Sequence, residues 1–146
     1  MKDSSNASRL TTLSSLNPTS AATVAVTTTT DVVNGADGVV SLREAVTQAN
    51  ASADATVIDL AASASYQLTL CAGGVEDANA GGDLDHTGLQ DLTVNGNGST
   101  IEQTCAGERV IDQLDSAPTV ALIDLTVTGG DSSDGAAVRF NADVDL

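Results

Sequence analysis

Short runs of alternating apolar and polar residues, rich in Val, Ile and Thr, recur along most of the chain. The first run covers residues 23–30, and further runs follow from residue 55 onward, each bounded by Gly, Asp, Asn or Ser. Alternation with a period of two is typical of β-strands, and the bounding residues are typical of turns. The pattern therefore predicts a succession of short strands.

One segment, residues 41–50, carries the signals of a short amphipathic α-helix instead. Ser41 and Glu44 match the capping box, in which the hydroxyl accepts a hydrogen bond from the amide three residues on and the carboxylate accepts one from the capping residue. Apolar residues at helical spacing give the segment one narrow face to bury: Leu42, Ala45, Val46 and Ala49. We predict a helix that caps the first layer of strands.

The strands repeat with a period of about 33 residues. Segment 91–96 reappears as segment 124–129 (124 − 91 = 33), and a second strand follows at a similar interval in each copy. Ankyrin repeats have a similar length but are mostly helical, whereas these units are rich in β-branched residues. The repeat therefore predicts an all-β fold, a parallel β-solenoid in which each coil forms hydrogen bonds with the next.

Composition restricts the core and the partners. Tyr66 and Phe140 are the only aromatic residues, so the core must consist of Val, Leu, Ile and Ala. Twenty acidic residues against five basic ones give a net charge of −15, which would repel nucleic acid and favours a saline, extracellular setting. No apolar run reaches the roughly 18 residues of a membrane helix. We expect no nucleic-acid partner and no membrane span.

The two ends of the chain differ from its middle. Residues 1–21 lack any sustained period and are typical of a flexible leader, which leaves residues 22–146 as one domain with its cap helix at 41–50. Residues 141–146 resemble the start of a strand whose coil does not close. Two interpretations are open: the chain is a fragment of a longer surface protein, or another subunit completes the uncapped end.

The second interpretation predicts self-association. An extended β-branched segment can add to an exposed strand edge, and addition that does not close into a ring produces a filament. The residues predicted to take part lie at the two ends of the domain: Thr23, Val24, Ala25, Val26, Val144 and Leu146.

Residues 26–29, 37–46 and 49–50 together closely resemble the CSLREA domain, the amino-terminal part of many bacterial and archaeal surface proteins. The likeness extends over about residues 24–130, although the cysteine that gives the family its name falls on Val40 here. Any role of that cysteine is lost, while the predicted cap helix is unaffected. The resemblance implies a right-handed parallel β-helix on secreted or cell-surface proteins, and it implies no catalytic residue set.

The two cysteines, Cys71 and Cys105, lie 34 residues apart, within one residue of the repeat. Equivalent positions on adjacent coils would bring their Cα atoms within disulfide range. Either a disulfide joins two neighbouring coils, or the two thiols stack unpaired in the core.

A Gly-rich loop contains the candidate metal ligands, and calcium is the cofactor that their oxygen atoms would suit. The spacing matches no EF-hand, so a solvated acidic loop is the alternative. The residues are Glu76, Asp77, Asn79, Asp83 and Asp85.

These features predict a non-enzymatic structural or adhesive module that is secreted or displayed at the cell surface and assembles end to end. Binding or cleavage of carbohydrate is the competing function, because Asp91 and Asp124 share a repeat position and would stack as paired carboxylates. With no Trp and one Tyr, the chain offers no aromatic platform for sugar rings. We therefore expect no enzyme, with a polysaccharide lyase or hydrolase as the alternative and glycans as its partners.

Overall fold

The computed structural model describes residues 20–114, 118–133, 137–140 and 144–145. Nineteen residues of the predicted leader, residues 1–19, lie outside this part. The elements in chain order are β1 (Ala22–Ala25), α1 (Leu42–Asn50), β2 (Thr56–Asp59), β3 (Ser65–Leu68), β4 (Leu84–His86), β5 (Leu92–Gln103), β6 (Ile111–Gln113), β7 (Val120–Gly129), β8 (Val138–Arg139) and β9 (Val144–Asp145).

The strands form two sheets, and every strand pair is parallel. The larger sheet has the order β1-β2-β5-β7-β9, with β3 also paired to β5, and the smaller has the order β4-β6-β8. Parallel neighbours cannot be joined by a tight hairpin, so each pair requires a crossover connection. Helix α1 lies within the crossover between β1 and β2 and packs against β1, β2 and β4.

The predicted right-handed parallel β-helix is wrong for this structure. The described residues form parallel sheets with one packed helix and no closed solenoid, an arrangement closer to an α/β fold than to an all-β one. The pairing is also not regular: Ala22 pairs with Thr56 (56 − 22 = 34), Thr56 with Leu92 (92 − 56 = 36), and Leu92 with Val120 (120 − 92 = 28). A solenoid with a constant 33-residue coil requires one offset throughout.

The alternating pattern of apolar and polar residues explains why the 33-residue repeat predicted the wrong strand pairing. Alternation specifies which side chains of a strand are buried, but any even shift of the partner strand satisfies it equally well. Between β5 and β7 the register shifts, because Asn95 pairs with Ile123 while Ser99 pairs with Leu125. The similar segments 91–96 and 124–129 therefore do not lie side by side.

The core is mainly aliphatic, as the composition predicts, but the buried Tyr66 is also part of it. The apolar face of α1 is buried, and it packs into a cluster with inward residues of the strands such as Ile58, Leu84, Ile101 and Val120. Both hydrogen bonds of the predicted capping box are present: the Glu44 amide donates to Ser41 Oγ (3.1 Å), and the Ser41 amide donates to Glu44 Oε2 (2.9 Å). The bond from the Ser41 amide, together with bonds from the Asn34 amide and the Ser41 hydroxyl, lowers the pKa of Glu44 despite its partial desolvation.

Candidate functional site

Arg43 of α1 fixes the segment that leads into β4. Its side chain is fully buried and forms an ion pair with Asp31, with Nε 2.9 Å from Oδ1. It also donates to the main-chain oxygens of Gly82 and Asp83, each at 3.0 Å. Burial alone would raise the pKa of Asp31, but the Arg43 guanidinium and two backbone amides lower it overall. The helix is thus locked to the strand that carries the candidate site.

The predicted calcium ligands do not converge as one set. Glu76 instead shapes its own loop, because its carboxylate accepts hydrogen bonds from the amides of Ala78, Ala80 and Gly81. Asn79 binds the main chain of Asp85 in both directions, accepting from its amide (2.8 Å) and donating to its carbonyl (2.9 Å). Glu76 and Asn79 therefore support the loop through bonds that are already made.

Asp83 and Asp85 do converge, with a third residue that lies outside the loop. Asp85 of β4 pairs with Asp112 of β6, so adjacent strands of the smaller sheet bring these carboxylates together. One carboxylate oxygen from each of Asp83, Asp85 and Asp112 lies within 4.8 Å of the others, and all three residues are buried. We call these three residues the aspartate cluster.

Two arginines partly neutralise the aspartate cluster. Arg109 Nη1 lies 3.0 Å from Asp112 Oδ2 and 3.6 Å from Asp83 Oδ2. Arg139 of β8 binds both oxygens of Asp112, through Nε at 2.7 Å and Nη2 at 2.6 Å. Two of the three carboxylates therefore have cationic partners.

Asp85 is the exception in the aspartate cluster. The residue is only 1% exposed, and its buried Oδ2 atom has no hydrogen-bond partner among the described residues. Burial, followed by the negative charges of Asp83 and Asp112, raises the pKa of Asp85 to about 8. Burial also raises the pKa of Asp83, though its own backbone amide opposes the shift. At neutral pH the uncomplexed cluster therefore favours a protonated Asp85.

An open cleft of about 480 Å³ gives solvent access to the aspartate cluster. Glu76, Asp77 and Glu108 also line it, together with both arginines. Six acidic residues against two basic ones give the cleft a formal charge of −4 when every carboxylate is ionised. Such a concentration of charge attracts cations.

A disulfide joins Cys71 and Cys105, which confirms one of the two predicted alternatives. Their Cα atoms lie 5.3 Å apart. The bond links the segments that follow β3 and β5, which are neighbouring parallel strands. It therefore anchors the chain where the acidic loop begins.

The predicted stack of Asp91 on Asp124 does not form. Asp91 accepts a hydrogen bond from the Thr119 amide (2.8 Å), whereas Asp124 lies at the register shift with a φ of 48°. These two residues provide no paired carboxylates. His86 is buried at the end of β4, where its Nδ1 lies 2.9 Å from Asn50 Oδ1.

Those residues predicted to assemble that the structure describes lie at opposite edges of the larger sheet. Thr23, Val24 and Ala25 belong to β1, and Val26 follows it with its amide bonded to Asp59. Val144 belongs to β9, and Leu146 lies outside the described residues.

The chain is thus a protein of parallel strands that contains a disulfide and a buried aspartate cluster beside an open cleft. No match was found when the chain was compared with models of protein families, with curated proteins or with solved structures. Among the described helical residues, none forms a helix long and apolar enough to cross a membrane.

Sequence reasoning missed Asp31, Asp112, Arg109 and Arg139 as parts of one network. A signal was nevertheless present, because the chain has only five basic residues and Arg139 stands between apolar neighbours in a strand pattern. An arginine at such a position usually needs a carboxylate partner. The partner itself depends on strand order, which the sequence does not display.

Proposed function

We propose that the chain is a non-enzymatic structural or adhesive module of the cell surface or extracellular medium, and that copies associate through the edges of the larger sheet. The observation that carries this proposal is the edge strand β1, which pairs on one side only among the described strands. Disulfides persist mainly in oxidising compartments, so the Cys71–Cys105 bond supports an extracellular setting. The resemblance to the CSLREA domain supports the same setting.

Strand β1 carries no residue of the kind that normally blocks pairing at a sheet edge. Among the described strands it pairs with β2 only, and its sequence Ala-Thr-Val-Ala contains no charge and no proline. Natural edge strands are often very short, as β1 is with four residues, or are blocked by lysine, proline, a bulge or a covering segment. In fact no charged residue occurs between residues 19 and 30. This edge is therefore suited to strand addition.

The hydrogen bonds of β1 show which groups remain available on this edge. The amides of Ala22 and Val26 donate to the carbonyls of Ala55 and Asp59, toward β2. In a parallel ladder the direction alternates along the strand, so the amides of Thr23 and Ala25 point away from β2. Those two amides are the donors that a further strand would use.

A second copy of the chain is the partner that fits this edge. Strand β9 forms the opposite edge of the same sheet, and all strands of the sheet run in one direction. The β9 edge of one copy can therefore meet the β1 edge of the next in parallel register. Such head-to-tail contacts between different surfaces extend into a filament when they do not close.

The net charge of −15 opposes this association at low ionic strength. Salt screens repulsion between surface charges, with a Debye length of about 30 Å at 0.01 M that falls to about 3 Å at 1 M. We therefore expect the chain to be monomeric in dilute buffer and to form larger species as salt is added.

Sedimentation velocity at low and high salt tests the proposal. Ala25→Pro removes one outward amide without touching the ladder to β2, and Ala25→Thr is the matched control that keeps the amide. We expect salt-dependent oligomers for the wild type and Ala25→Thr, and monomers for Ala25→Pro. Circular dichroism checks that both variants fold. A wild type that stays monomeric at every salt concentration, or an Ala25→Pro variant that assembles normally, contradicts the proposal.

Carbohydrate binding or cleavage is the competing function. The buried acids of the cleft favour it, because hydrolysis of a glycosidic bond needs one protonated and one ionised carboxylate. Asp112 and Asp83 are, however, held by arginines. A screen of neutral and acidic polysaccharides for binding and for released reducing ends separates the two functions.

A further inference from the structure

We propose that the aspartate cluster, Asp83, Asp85 and Asp112, binds a divalent cation, and that calcium is the preferred ion. This site differs from the one predicted from the sequence, because Asp112 replaces the loop residues Glu76 and Asn79. It is independent of the edge association proposed above.

The geometry of the three carboxylates suits a single cation. Adjacent strands place Asp85 and Asp112 side by side, and the segment before β4 adds Asp83. Their oxygens lie within 4.8 Å of one another, a separation that one ion contacting all three can bridge. Calcium binds oxygen ligands at about 2.3–2.6 Å, so two ligands of one ion lie at most about 5 Å apart.

The unsatisfied carboxylate oxygen of Asp85 also favours a bound cation. Oδ2 is buried and receives no hydrogen bond from the part of the chain that the structure describes, although almost all buried polar atoms in proteins have a partner. The main chain of the same residue, by contrast, is fully engaged: Asn79 binds its amide, and Asn79 and Asn50 both donate to its carbonyl. The residue is thus held in place by three hydrogen bonds while its carboxylate oxygen lacks a counterpart. A cation supplies one.

Hydrogen bonds from neighbouring residues hold the main chain around the aspartate cluster in place. Arg43 donates to the Asp83 carbonyl and so fixes the main chain between α1 and β4. Glu76 holds the acidic loop in place through three amides, which keeps further negative charge beside the cleft. Supporting contacts that orient the ligands of a metal raise its affinity. The open cleft leaves room for water to complete the coordination shell.

The two arginines of the cleft oppose cation binding, and their contacts with Asp112 limit the affinity for the ion. Arg109 and Arg139 both contact Asp112, and each adds a positive charge. They do not cancel the negative charge of the cleft, which carries six acidic residues against these two arginines. The Arg139 side chain is also 36% exposed and can move toward solvent when an ion binds. We therefore expect moderate affinity that falls with added salt.

Calcium titration by isothermal calorimetry on the full chain tests this site, after treatment with a chelator. Asp85→Asn removes the unpartnered carboxylate with little change of shape, and Asp37→Asn removes the same charge from an exposed turn. We expect one calcium per chain for the wild type and for Asp37→Asn. Loss of a ligand should weaken binding by at least about tenfold in Asp85→Asn, since even supporting residues contribute 10- to 100-fold.

A second measurement covers the case in which a variant folds poorly. Calcium should raise the unfolding temperature of the wild type and of Asp37→Asn, because an ion that binds only the folded state stabilises it. Absence of binding at millimolar calcium overturns the proposal, as does equal affinity in Asp85→Asn and Asp37→Asn. Equal binding of magnesium and calcium contradicts the assignment to calcium. None of these results bears on whether copies associate through β1.

Discussion

Replacing Arg43 with methionine should be among the most damaging single changes in this protein. Arg43 is fully buried and donates four hydrogen bonds, two to Asp31 and two to the carbonyls of Gly82 and Asp83. Methionine fills much of the same volume but leaves a buried carboxylate without its cation. Removal of one partner of a buried ion pair costs about 3–5 kcal/mol.

The structure places the expected loss within that range rather than above it. Asp31 keeps the hydrogen bonds from the amides of Thr69 (2.7 Å) and Leu70 (2.9 Å), which compensate part of its charge. The Asp83 carbonyl loses its bond from Arg43, which adds to the loss, whereas the Gly82 carbonyl keeps a bond from Gln103 Nε2 (3.2 Å). Since a domain is stable by only about 5–15 kcal/mol, Arg43→Met should remove a large share of the total. A loss of about 4 kcal/mol corresponds to a fall of roughly 10–20 °C in unfolding temperature.

Thermal and urea unfolding followed by circular dichroism measure this loss. Arg139→Met is the matched control, because its side chain is 36% exposed and it should lose less than half as much. Asp31→Asn combined with Arg43→Met completes a double-mutant cycle and should recover part of the stability. An Arg43→Met variant within about 1 kcal/mol of the wild type would refute the reasoning, because a surface ion pair contributes no more than that.

The same ion pair predicts how acid destabilises the protein. The folded-state pKa of Asp31 lies below its ordinary value of 3.8. Its contribution to stability is therefore complete above the unfolded pKa and is lost as the pH falls through the lower folded pKa. Removing the guanidinium should raise the folded pKa. The stability of Arg43→Met should accordingly depend less on pH below about 4 than that of the wild type.

Three further predictions concern other parts of the fold. Reduction of the Cys71–Cys105 bond should add two hydrogens to the mass and destabilise the chain by about 3–4 kcal/mol, measured by urea unfolding with and without reductant. Asp85→Asn should be more stable than the wild type in chelator, by an amount that grows as pH rises from about 4 to about 8, because over that range the unfolded wild type releases the Asp85 proton while the folded wild type keeps it; equal pH profiles would contradict this. Gly129→Ala should lose more than about 2 kcal/mol, since the glycine has a φ of 74° and a Cβ would collide with the main chain of Gln103, and a neutral effect in thermal unfolding would show that the strands separate easily.

Local features of the fold could be predicted from the sequence because local contacts determine them. The helix begins after Ser41 and ends at Asn50, where the capping box and apolar spacing placed it. The disulfide was also predicted, although the constant 33-residue coil behind that argument is wrong. Strands β3 and β5, which precede the two cysteines, pair at an offset of 35 residues, as Ser65 with Thr100 shows, and this lies within one residue of the cysteine spacing of 34.

The aspartate cluster could not be predicted in the same way, because it depends on strand register rather than on local pattern. Asp85 pairs with Asp112 at an offset of 27 residues (112 − 85 = 27), whereas a constant repeat of 33 would place Pro118 beside it. The strands of the smaller sheet are short. Their sequences therefore contain too few apolar residues to indicate which strands pair or at what offset. The pairing follows instead from burying α1 against β4 and from Arg43, which ties the two together. A fixed strand β4 keeps the Asp85 side chain buried, and its carboxylate then requires either a proton or a cation.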